Sequence, residues 1–167
     1  KAEELFTGGI NSFGSHQPLK NAIKLVDFRE SNRGVPSAGD KCILGLDVGS
    51  TTTKAVVLRR SDNTILSSVY LRTNGDPVGA ARNCYRSIKS SLGDVDIDII
   101  GLGVTGSGRQ IAALHALTDN VINEIIAHAT AASFFDKDVD TIFEIGGQDA
   151  KYTYLTGGVP SDYAMNE

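Results

Sequence analysis

The chain has 167 residues, a formal net charge of -4 and 41% hydrophobic residues, which fit one globular domain of ordinary size. The mild acidity argues against a nucleic-acid-binding protein, and no apolar run approaches the roughly 20 residues of a membrane-spanning helix. The two cysteines, Cys42 and Cys84, are too few for a disulfide framework or a complete zinc site, so a reducing, cytoplasmic location is the default expectation.

The first 40 residues lack the periodic apolar pattern of a folded domain. Glycines, serines and prolines are scattered through them, and residues 31–40 have the composition of a linker. We therefore expect residues 1–40 to be a linker or an arm from a preceding domain, with a remnant of a neighbouring domain as the equal alternative. Because the chain starts with lysine and ends soon after a Gly-Gly pair, we expect it to be a piece of a longer protein.

A meander of three strands is predicted to follow the arm. Short apolar or β-branched runs occur at residues 42–47, 54–59 and 64–72, and turn residues separate them. Strands joined by such short turns pair in the antiparallel sense. The folded part of the chain is therefore expected to open with an antiparallel sheet.

A helix and a further strand are predicted next. Asp76 and Pro77 suit the start of a helix, and apolar residues at three- and four-residue steps extend it to Leu92. Gly93 then lies where a helix would end. The strand at residues 97–104 has almost no polar residue in its second half, so it is predicted to be central and parallel.

The remaining pattern predicts helices at residues 108–117 and 123–135, strands at 140–145 and 150–156, and the beginning of another strand. The order βββαβααβ, followed by a new hairpin, is typical of a ribonuclease-H-like α/β fold. ATPases of the actin/Hsp70/sugar-kinase superfamily contain this pattern twice. We therefore predict a first subdomain at 41–140 and the start of a second, truncated one at 141–167.

The first candidate phosphate-binding loop is the turn between the first two strands. It contains an acid, a glycine, several hydroxyls and a lysine: Asp47, Gly49, Ser50, Thr51, Thr52, Thr53 and Lys54. Glycine lets a phosphate approach the backbone, turn N–H groups bind anions, and a carboxylate can hold Mg²⁺. The spacing is not that of a Walker A loop, and a hydroxyl-rich hairpin turn without a ligand is the alternative.

A second acid–glycine hairpin is predicted near the end of the chain. It contains Glu144, Gly146, Gly147, Gln148 and Asp149. Two such hairpins can face each other across a cleft and hold ATP and Mg²⁺ from two sides. Asp47 and Glu144 are the predicted metal ligands, and Asp149 is an alternative partner for the metal. An ordinary two-residue turn at the glycine pair is the competing interpretation.

Glu124 is predicted in the first turn of a helix that Asn123 caps. A carboxylate there can orient a water for attack on a γ-phosphate, which would make Asp47, Glu124 and Glu144 the catalytic acids. The alternative is a favourable contact of Glu124 with the helix dipole. His128 on the same helix is given no functional role.

The segment at residues 101–106 has the formal G-x-G-x-x-G pattern of a dinucleotide site. In such sites the pattern opens a βαβ unit, whereas a meander precedes it here. A glycine-rich loop near the cleft is therefore favoured. Arg109 behind this loop is interpreted either as a phosphate or partner contact or as a surface charge.

With these motifs in place, the chain resembles the dehydratase activators and benzoyl-CoA-reductase-type ATPase subunits. The resemblance rests on LGLDVGSTTTKAVVL, GVTGSGR, NEIIAHATAASFF, TIFEIGGQDAKY and the final AMNE, in the family's order. It implies an ATPase that, as a homodimer or tandem pair, couples ATP hydrolysis to electron transfer from a 4Fe-4S cluster. The implied electron acceptor is a partner dehydratase or reductase that acts on a CoA thioester.

The same resemblance places the cluster-ligating cysteine beyond Glu167, so this chain alone is expected to lack the cluster and to be inactive. Cys42 and Cys84 do not match the ligand positions and are interpreted as small apolar residues. Two other functions stay open. One is a small-molecule kinase of the same fold, such as a sugar kinase, and the other is a non-enzymatic actin-like scaffold or regulatory domain.

Overall fold

The computed structural model describes residues 18–27 and 32–166. The chain divides into two compact units, Lys1–Ser31 and Asn32–Glu167. The described part of the first unit contains a 3₁₀ helix, Leu19–Leu25. Much of the predicted arm lies outside the described residues, and its boundary at residue 40 stays a prediction. Within the described ranges, no helix is both long and apolar enough to cross a membrane.

Residues 33–40 run alongside the sheet of the second unit. The backbone N–H of Gly34 donates to the carbonyl of Ile65 at 2.9 Å. The Arg59 guanidinium donates to the carboxylate of Asp40 at 3.0 Å. These contacts attach this part of the predicted linker to the sheet that follows it.

The helices and strands of the second unit agree with the predicted elements to within two residues at each end. In chain order they are β1 (Lys41–Val48), β2 (Thr52–Arg59), β3 (Ile65–Arg72), α1 (Pro77–Leu92), β4 (Asp98–Thr105), α2 (Arg109–Ala116), α3 (Glu124–Phe135), β5 (Thr141–Gly146), β6 (Asp149–Thr156) and β7 (Val159–Met165). Asp76 accepts a hydrogen bond from the N–H of Gly79 at 2.8 Å, so the predicted cap of α1 is confirmed.

A four-stranded sheet in the order β3-β2-β1-β4 forms the first half of this unit. The antiparallel meander and the parallel pairing of β4 with β1 are confirmed. The prediction that β4 is central is wrong, because the described residues add beyond it only a single bridge, from Val104 to Val121. Ile99 and Ile100 are accordingly 43% and 41% exposed. The apolar run in β4 is explained by the second half of the strand, which packs against the core. Val104 in this half is a core residue.

The core lies between one face of this sheet and α1. Alternation along the strands and the helical spacing of α1 direct a set of small and medium apolar side chains into it: Cys42, Leu44, Leu46, Val48, Ala55, Val57, Ala81, Cys84 and Ile88. Each of these residues is at most 9% exposed. Side chains that alternate with them along β1, such as Asp47, point to the opposite face of the sheet.

A second sheet, in the order β5-β6-β7, repeats the antiparallel opening of the first one. Helix α3 packs against β6 and β7 of this sheet. The helix is apolar on nearly all sides, yet Phe134 and Phe135 near its end are 58% and 80% exposed. The strands expected to open a second half are present, and the subdomain bounds 41–140 and 141–167 stay predictions.

The glycine-rich loop after β4 packs tightly against the end of β1. The N–H of Gly108 donates to the carbonyl of Val48 at 2.7 Å. Gly106 has a φ of +90°, and a Cβ on it would lie 2.5 Å from the Val48 carbonyl oxygen and closer still to Asp47. Close packing with β1 therefore requires glycine at Gly106 and Gly108, whereas a Cβ on Gly101 would meet nothing within 4 Å.

Gly106→Ala should lower the free energy of unfolding by about 2 kcal/mol or more, because alanine is strained at positive φ and its Cβ would clash with β1. Urea denaturation followed by circular dichroism measures the change. Gly101→Ala is the matched control, since a Cβ there meets nothing within 4 Å. The control should change stability by less than about 0.5 kcal/mol. Equal losses in the two variants would contradict the packing argument.

Thr73, which follows β3, forms hydrogen bonds with the turn between β1 and β2. Its hydroxyl donates to the carbonyl of Gly49 at 2.7 Å and lies 2.9 Å from the buried hydroxyl of Thr53. Its backbone N–H donates to the carbonyl of Thr51 at 2.9 Å. The conformation of this turn therefore depends on a residue that follows β3.

Thr73→Val should lower the free energy of unfolding by about 1–3 kcal/mol, because it leaves a buried hydroxyl and a carbonyl without their partner. The same urea titration reports it. Thr130→Val serves as control, because the Thr130 hydroxyl is exposed and bonds only back to Ile126 within its own helix. The control should lose less than about 0.5 kcal/mol. A Thr73 variant as stable as the control would show that these hydrogen bonds contribute little to the stability of the fold.

Candidate functional site

The first predicted loop places an acid and a lysine opposite each other. Asp47, at the end of β1, is the cross-strand partner of Lys54 in β2, and the Lys54 ammonium lies 2.9 Å from its carboxylate. The two side chains are 31% and 37% exposed, respectively. Tyr70 is the next residue in the register, and its ring centroid is 5.5 Å from the ammonium nitrogen. The pair therefore lies on the open face of the sheet, where a ligand can reach it.

The hydroxyls of this turn differ in accessibility. Ser50 is exposed, and Thr51 and Thr52 are half-buried. Thr53, also a predicted phosphate ligand, is fully buried because alternation along β2 turns it toward the core. Its hydroxyl is paired with that of Thr73. Thr53 thus supports the turn, whereas its neighbours face the solvent.

The second predicted hairpin repeats the arrangement of acid and lysine. Glu144 in β5 is the cross-strand partner of Lys151 in β6, and their charged groups are 3.6 Å apart. The Lys151 ammonium also lies 3.0 Å from Glu124 at the start of α3 and 3.9 Å from Asp149. The Lys151 side chain is only 7% exposed, whereas those of Glu124 and Glu144 are 28% and 29% exposed. One buried cation therefore gathers three carboxylates from three elements.

The pKa of Lys151 reflects two opposed effects. Burial by itself would lower this pKa, but the hydrogen bond that the ammonium donates to Glu124 and the charges of Glu124, Glu144 and Asp149 raise it above the ordinary value. Lys151 consequently remains protonated at neutral pH and neutralises part of the charge of the three acids.

Helix α3 is tied to the second hairpin at two points. Asn123 caps the helix by accepting from the N–H of Ile125 at 2.9 Å, as predicted. The cap places Glu124 in the first turn, where its charge is favourable to the helix dipole. One turn further along, His128 lies 2.8 Å from the carboxylate of Glu144. The Glu124–Lys151 and His128–Glu144 contacts together fix the start of α3 beside β5 and β6.

The tips of the two predicted loops are close to each other. The second hairpin turns at Gly147 and Gln148, one residue later than the predicted glycine pair, and Gly147 has a φ of +67°. A Cβ on Gly147 would lie 3.9 Å from the hydroxyl oxygen of Thr51. Gly146, Gln148 and Asp149 are exposed around this contact. The tips of the two acid–glycine turns are therefore close to each other, and the cleft expected between them stays a prediction.

An open cavity of about 690 Å³ borders the first hairpin. Its lining includes Asp47, Lys54 and Tyr70 on the sheet and Ala127 on α3. Thr105 in β4 is the cross-strand partner of Asp47, and its buried hydroxyl has no hydrogen-bond partner among the described residues. The acid and the lysine of the first hairpin thus stand at the edge of a concave surface.

Lys151 and His128 had no predicted role, although the sequence contains a signal for the lysine. In both hairpins the lysine follows the acid by seven residues (54 − 47 = 7 and 151 − 144 = 7), and a short hairpin converts that spacing into a cross-strand pair. The sequence allowed two roles for Arg109, a contact with a phosphate or a partner and a surface charge. In the structure its guanidinium donates to the carbonyl of Gly106 at 3.0 Å and so takes part in the packing of the loop.

A dedicated metal cage is not found in the described part of the chain, where no three His, Cys, Asp or Glu side chains come close enough to hold an ion. Mg²⁺ that accompanies a nucleotide needs fewer protein ligands, because it is commonly held by one or two carboxylates together with phosphate oxygens and waters. The partly exposed Asp47 fits that mode of binding. Glu144 is already contacted by Lys151 and His128, so it would have to share its carboxylate.

The cysteines of this chain do not fit an iron–sulfur cluster. Clusters are held by thiolates, usually four of them. Cys42 and Cys84 are free and fully buried, and burial raises the pKa of both thiols. Both belong to the core beside α1, as the interpretation of them as small apolar residues expects.

Comparison of sequences places these features in a known family. The model of the BadF/BadG/BcrA/BcrD ATPase family matches residues 44–167. The chain is 31% identical over 124 residues to the (R)-2-hydroxyglutaryl-CoA dehydratase activating ATPase of Acidaminococcus fermentans, with 74% of this chain and 46% of that protein covered. The chain thus spans about half the length of this relative.

Comparison of structures agrees with this result. The activator of the 2-hydroxyisocaproyl-CoA dehydratase from Clostridium difficile, with bound ADPNP, superposes with a TM-score of 0.60 at 32% identity, over 75% of this chain and 46% of that one. A Ppx/GppA phosphatase of Aquifex aeolicus, with a TM-score of 0.54 and 10% identity over 75% of this chain and 52% of that one, shares the fold alone. The predicted actin-like, ribonuclease-H-like α/β fold is confirmed. Since the family model covers well over half of its residues, the chain belongs to the BadF/BadG/BcrA/BcrD ATPase family.

Proposed function

We propose that this chain forms one wall of the ATP cleft of an activator ATPase. The complete protein would couple ATP hydrolysis to electron transfer toward a partner dehydratase or reductase that acts on a CoA thioester. The observation that carries the proposal is the proximity of the two acid–glycine turns, since a Cβ added to Gly147 would lie 3.9 Å from the hydroxyl oxygen of Thr51. The names of the relatives support the same activity, since they are activators of CoA-thioester dehydratases.

Phosphate oxygens of ATP would be held from both turns. Turn N–H groups form anion-binding concavities, and hydroxyls and a lysine add donors and charge. The proposed ligands are Gly49, Ser50, Thr51, Thr52 and Lys54 in the first turn and Gly146, Gly147 and Gln148 in the second. Thr53 would act through the shape of the turn, because its own hydroxyl is buried.

Asp47 would hold the Mg²⁺ of the nucleotide, with Glu144 or Asp149 completing the acidic side of the cleft. When bound, the ion neutralises charge on the phosphate oxygens. Lys54 contacts the Asp47 carboxylate at 2.9 Å and is exposed enough to turn toward a phosphate instead. The chain thus supplies one carboxylate and one cation beside the turn that joins β1 to β2.

Glu124 would orient the attacking water and accept its proton. The water oxygen forms a bond to the γ-phosphorus, the bond from that phosphorus to the β,γ-bridging oxygen breaks, and ADP leaves. The Glu124 carboxylate is 28% exposed at the N-terminus of α3, so water can reach it. Lys151 lies 3.0 Å from this carboxylate and holds it at the start of the helix.

The remaining parts of the function are proposed for the complete protein. They are the adenosine-binding half of the cleft, the electron-donating 4Fe-4S cluster, a homodimer or tandem pair of domains, and a cytoplasmic location. Cys42 and Cys84 do not supply ligands for the cluster, so its cysteines would have to lie outside this chain.

Asp47→Asn in the full-length protein should lower kcat for Mg-ATP hydrolysis by at least about 100-fold, because the cleft loses a charged group that acts on the reacting phosphates. Phosphate release is measured anaerobically without added sugar, and iron is determined in the same sample. Asp62→Asn is the control, because Asp62 pairs with Arg59 on the exposed turn after β2.

Undiminished hydrolysis in the Asp47 variant would contradict the assignment of the cleft. Wild-type hydrolysis in an iron-free sample would contradict the electron-transfer part and leave an ATPase of the same fold. Phosphate transfer only in the presence of an added sugar would indicate a kinase instead.

A further inference from the structure

We infer that Lys151 is a positioning residue, which holds the Glu124 carboxylate at the place from which it orients the attacking water. This inference rests on the proposed function, in which Glu124 has that role. Lys151 itself would not touch the nucleotide. It would act by fixing the start of α3 to the β5–β6 hairpin.

The geometry favours Glu124 as the main partner of this lysine. The ammonium lies 3.0 Å from Glu124, 3.6 Å from Glu144 and 3.9 Å from Asp149. Only the first distance is that of a short charge-assisted hydrogen bond. Because Lys151 is 7% exposed, the contact is weakly screened and its geometry is held by the surrounding packing.

Comparison with Lys54 shows that this arrangement is not a general consequence of the hairpin. Lys54 occupies the equivalent position in the first hairpin, but its side chain is 37% exposed and its carboxylate partner, Asp47, lies on the adjacent strand. Lys151 instead reaches a carboxylate on a different element, the first turn of α3. The register supplies a lysine in both hairpins, and only the second lysine is buried against a helix.

The charges around Lys151 explain why its removal would displace Glu124. Glu144 on β5 and Asp149 on β6 face the same ammonium, so without it three carboxylates would repel one another. His128 cannot take its place, because its Nδ1 contacts the other oxygen of Glu144, 2.8 Å away. Because Glu124 is 28% exposed, the repulsion can be relieved by a change of its side-chain rotamer, which moves the carboxylate from its place beside Lys151.

Lys151→Met in the full-length protein should lower kcat for Mg-ATP hydrolysis by about 10- to 100-fold, the size of effect that misplacing a catalytic group by about 1 Å can have. The dissociation constant of ADPNP, measured by calorimetry, should change less than kcat does, by about threefold or less, because none of the proposed phosphate ligands is replaced. Lys137→Met, which changes an exposed lysine just after α3, should leave both quantities as in the wild type. Circular dichroism checks that each variant is folded, and Lys151→Gln replaces the methionine variant if that one does not fold.

A double-mutant cycle separates positioning from general support of the fold. Glu124→Gln alone should lower kcat by about 100-fold or more, as loss of a general base does. Adding Lys151→Met (or Lys151→Gln) to it should then lower kcat by less than about twofold further, because the lysine acts through the glutamate.

The outcomes distinguish the inference from the function on which it rests. A folded Lys151 variant with wild-type kcat, or losses that simply multiply in the double variant, would overturn the positioning role while Glu124 keeps its own. Absence of hydrolysis in the wild type, or an active Glu124→Gln variant, would overturn the proposed role of Glu124 and the inference with it.

Discussion

The cross-strand register of two short hairpins is the constraint on which the candidate site depends. In an antiparallel pair, residues directly opposite each other project to the same face with their Cβ atoms about 4.5–5.5 Å apart. This register brings Asp47 to Lys54 and Glu144 to Lys151. A slip by one residue would turn Asp47 toward the core, so the burial of Leu46 and Val48 on either side of it also fixes the acid in place.

Packing beyond the hairpins completes this constraint. The first turn is held by Thr73 after β3 and by the close approach of Gly106 after β4, so three segments meet at the end of β1. Exposed ion pairs such as Asp47–Lys54 stabilise a fold by only about 0–1 kcal/mol. The stability of this region therefore comes from the apolar face and the buried hydrogen bonds, and the charged groups are free to serve a ligand.

Local signals allowed most of the fold to be predicted. Asp76, Asn123 and Gly93 mark helix ends through side-chain caps or a permissive backbone, and these are properties of a few neighbouring residues. The position of β4 in the sheet was predicted incorrectly because an apolar run shows burial without showing what covers it. The loops were found because an acid, glycines and hydroxyls are adjacent in the chain.

The missing parts of the site are contacts between distant residues. Thr73 is 20 residues from Thr53, and Lys151 is 27 residues from Glu124 (151 − 124 = 27), so no local pattern links them. Only the seven-residue spacing of acid and lysine was visible beforehand. The lysine is partly exposed in the first hairpin and buried in the second. This difference depends on where α3 packs, which is a property of the tertiary structure.

The unequal exposure of the two lysines, 37% for Lys54 and 7% for Lys151, gives the side chains of the two hairpins different freedom to move. In water containing physiological salt, charges are screened over about 8 Å, so the solvated Asp47–Lys54 pair can exchange partners with mobile ions at little cost. The Lys151 side chain is only 7% exposed and has three carboxylates within 4 Å, so it is held by packing and by charge at once. A polyanion that approaches would therefore rearrange the side chains of the first hairpin more easily than those of the second.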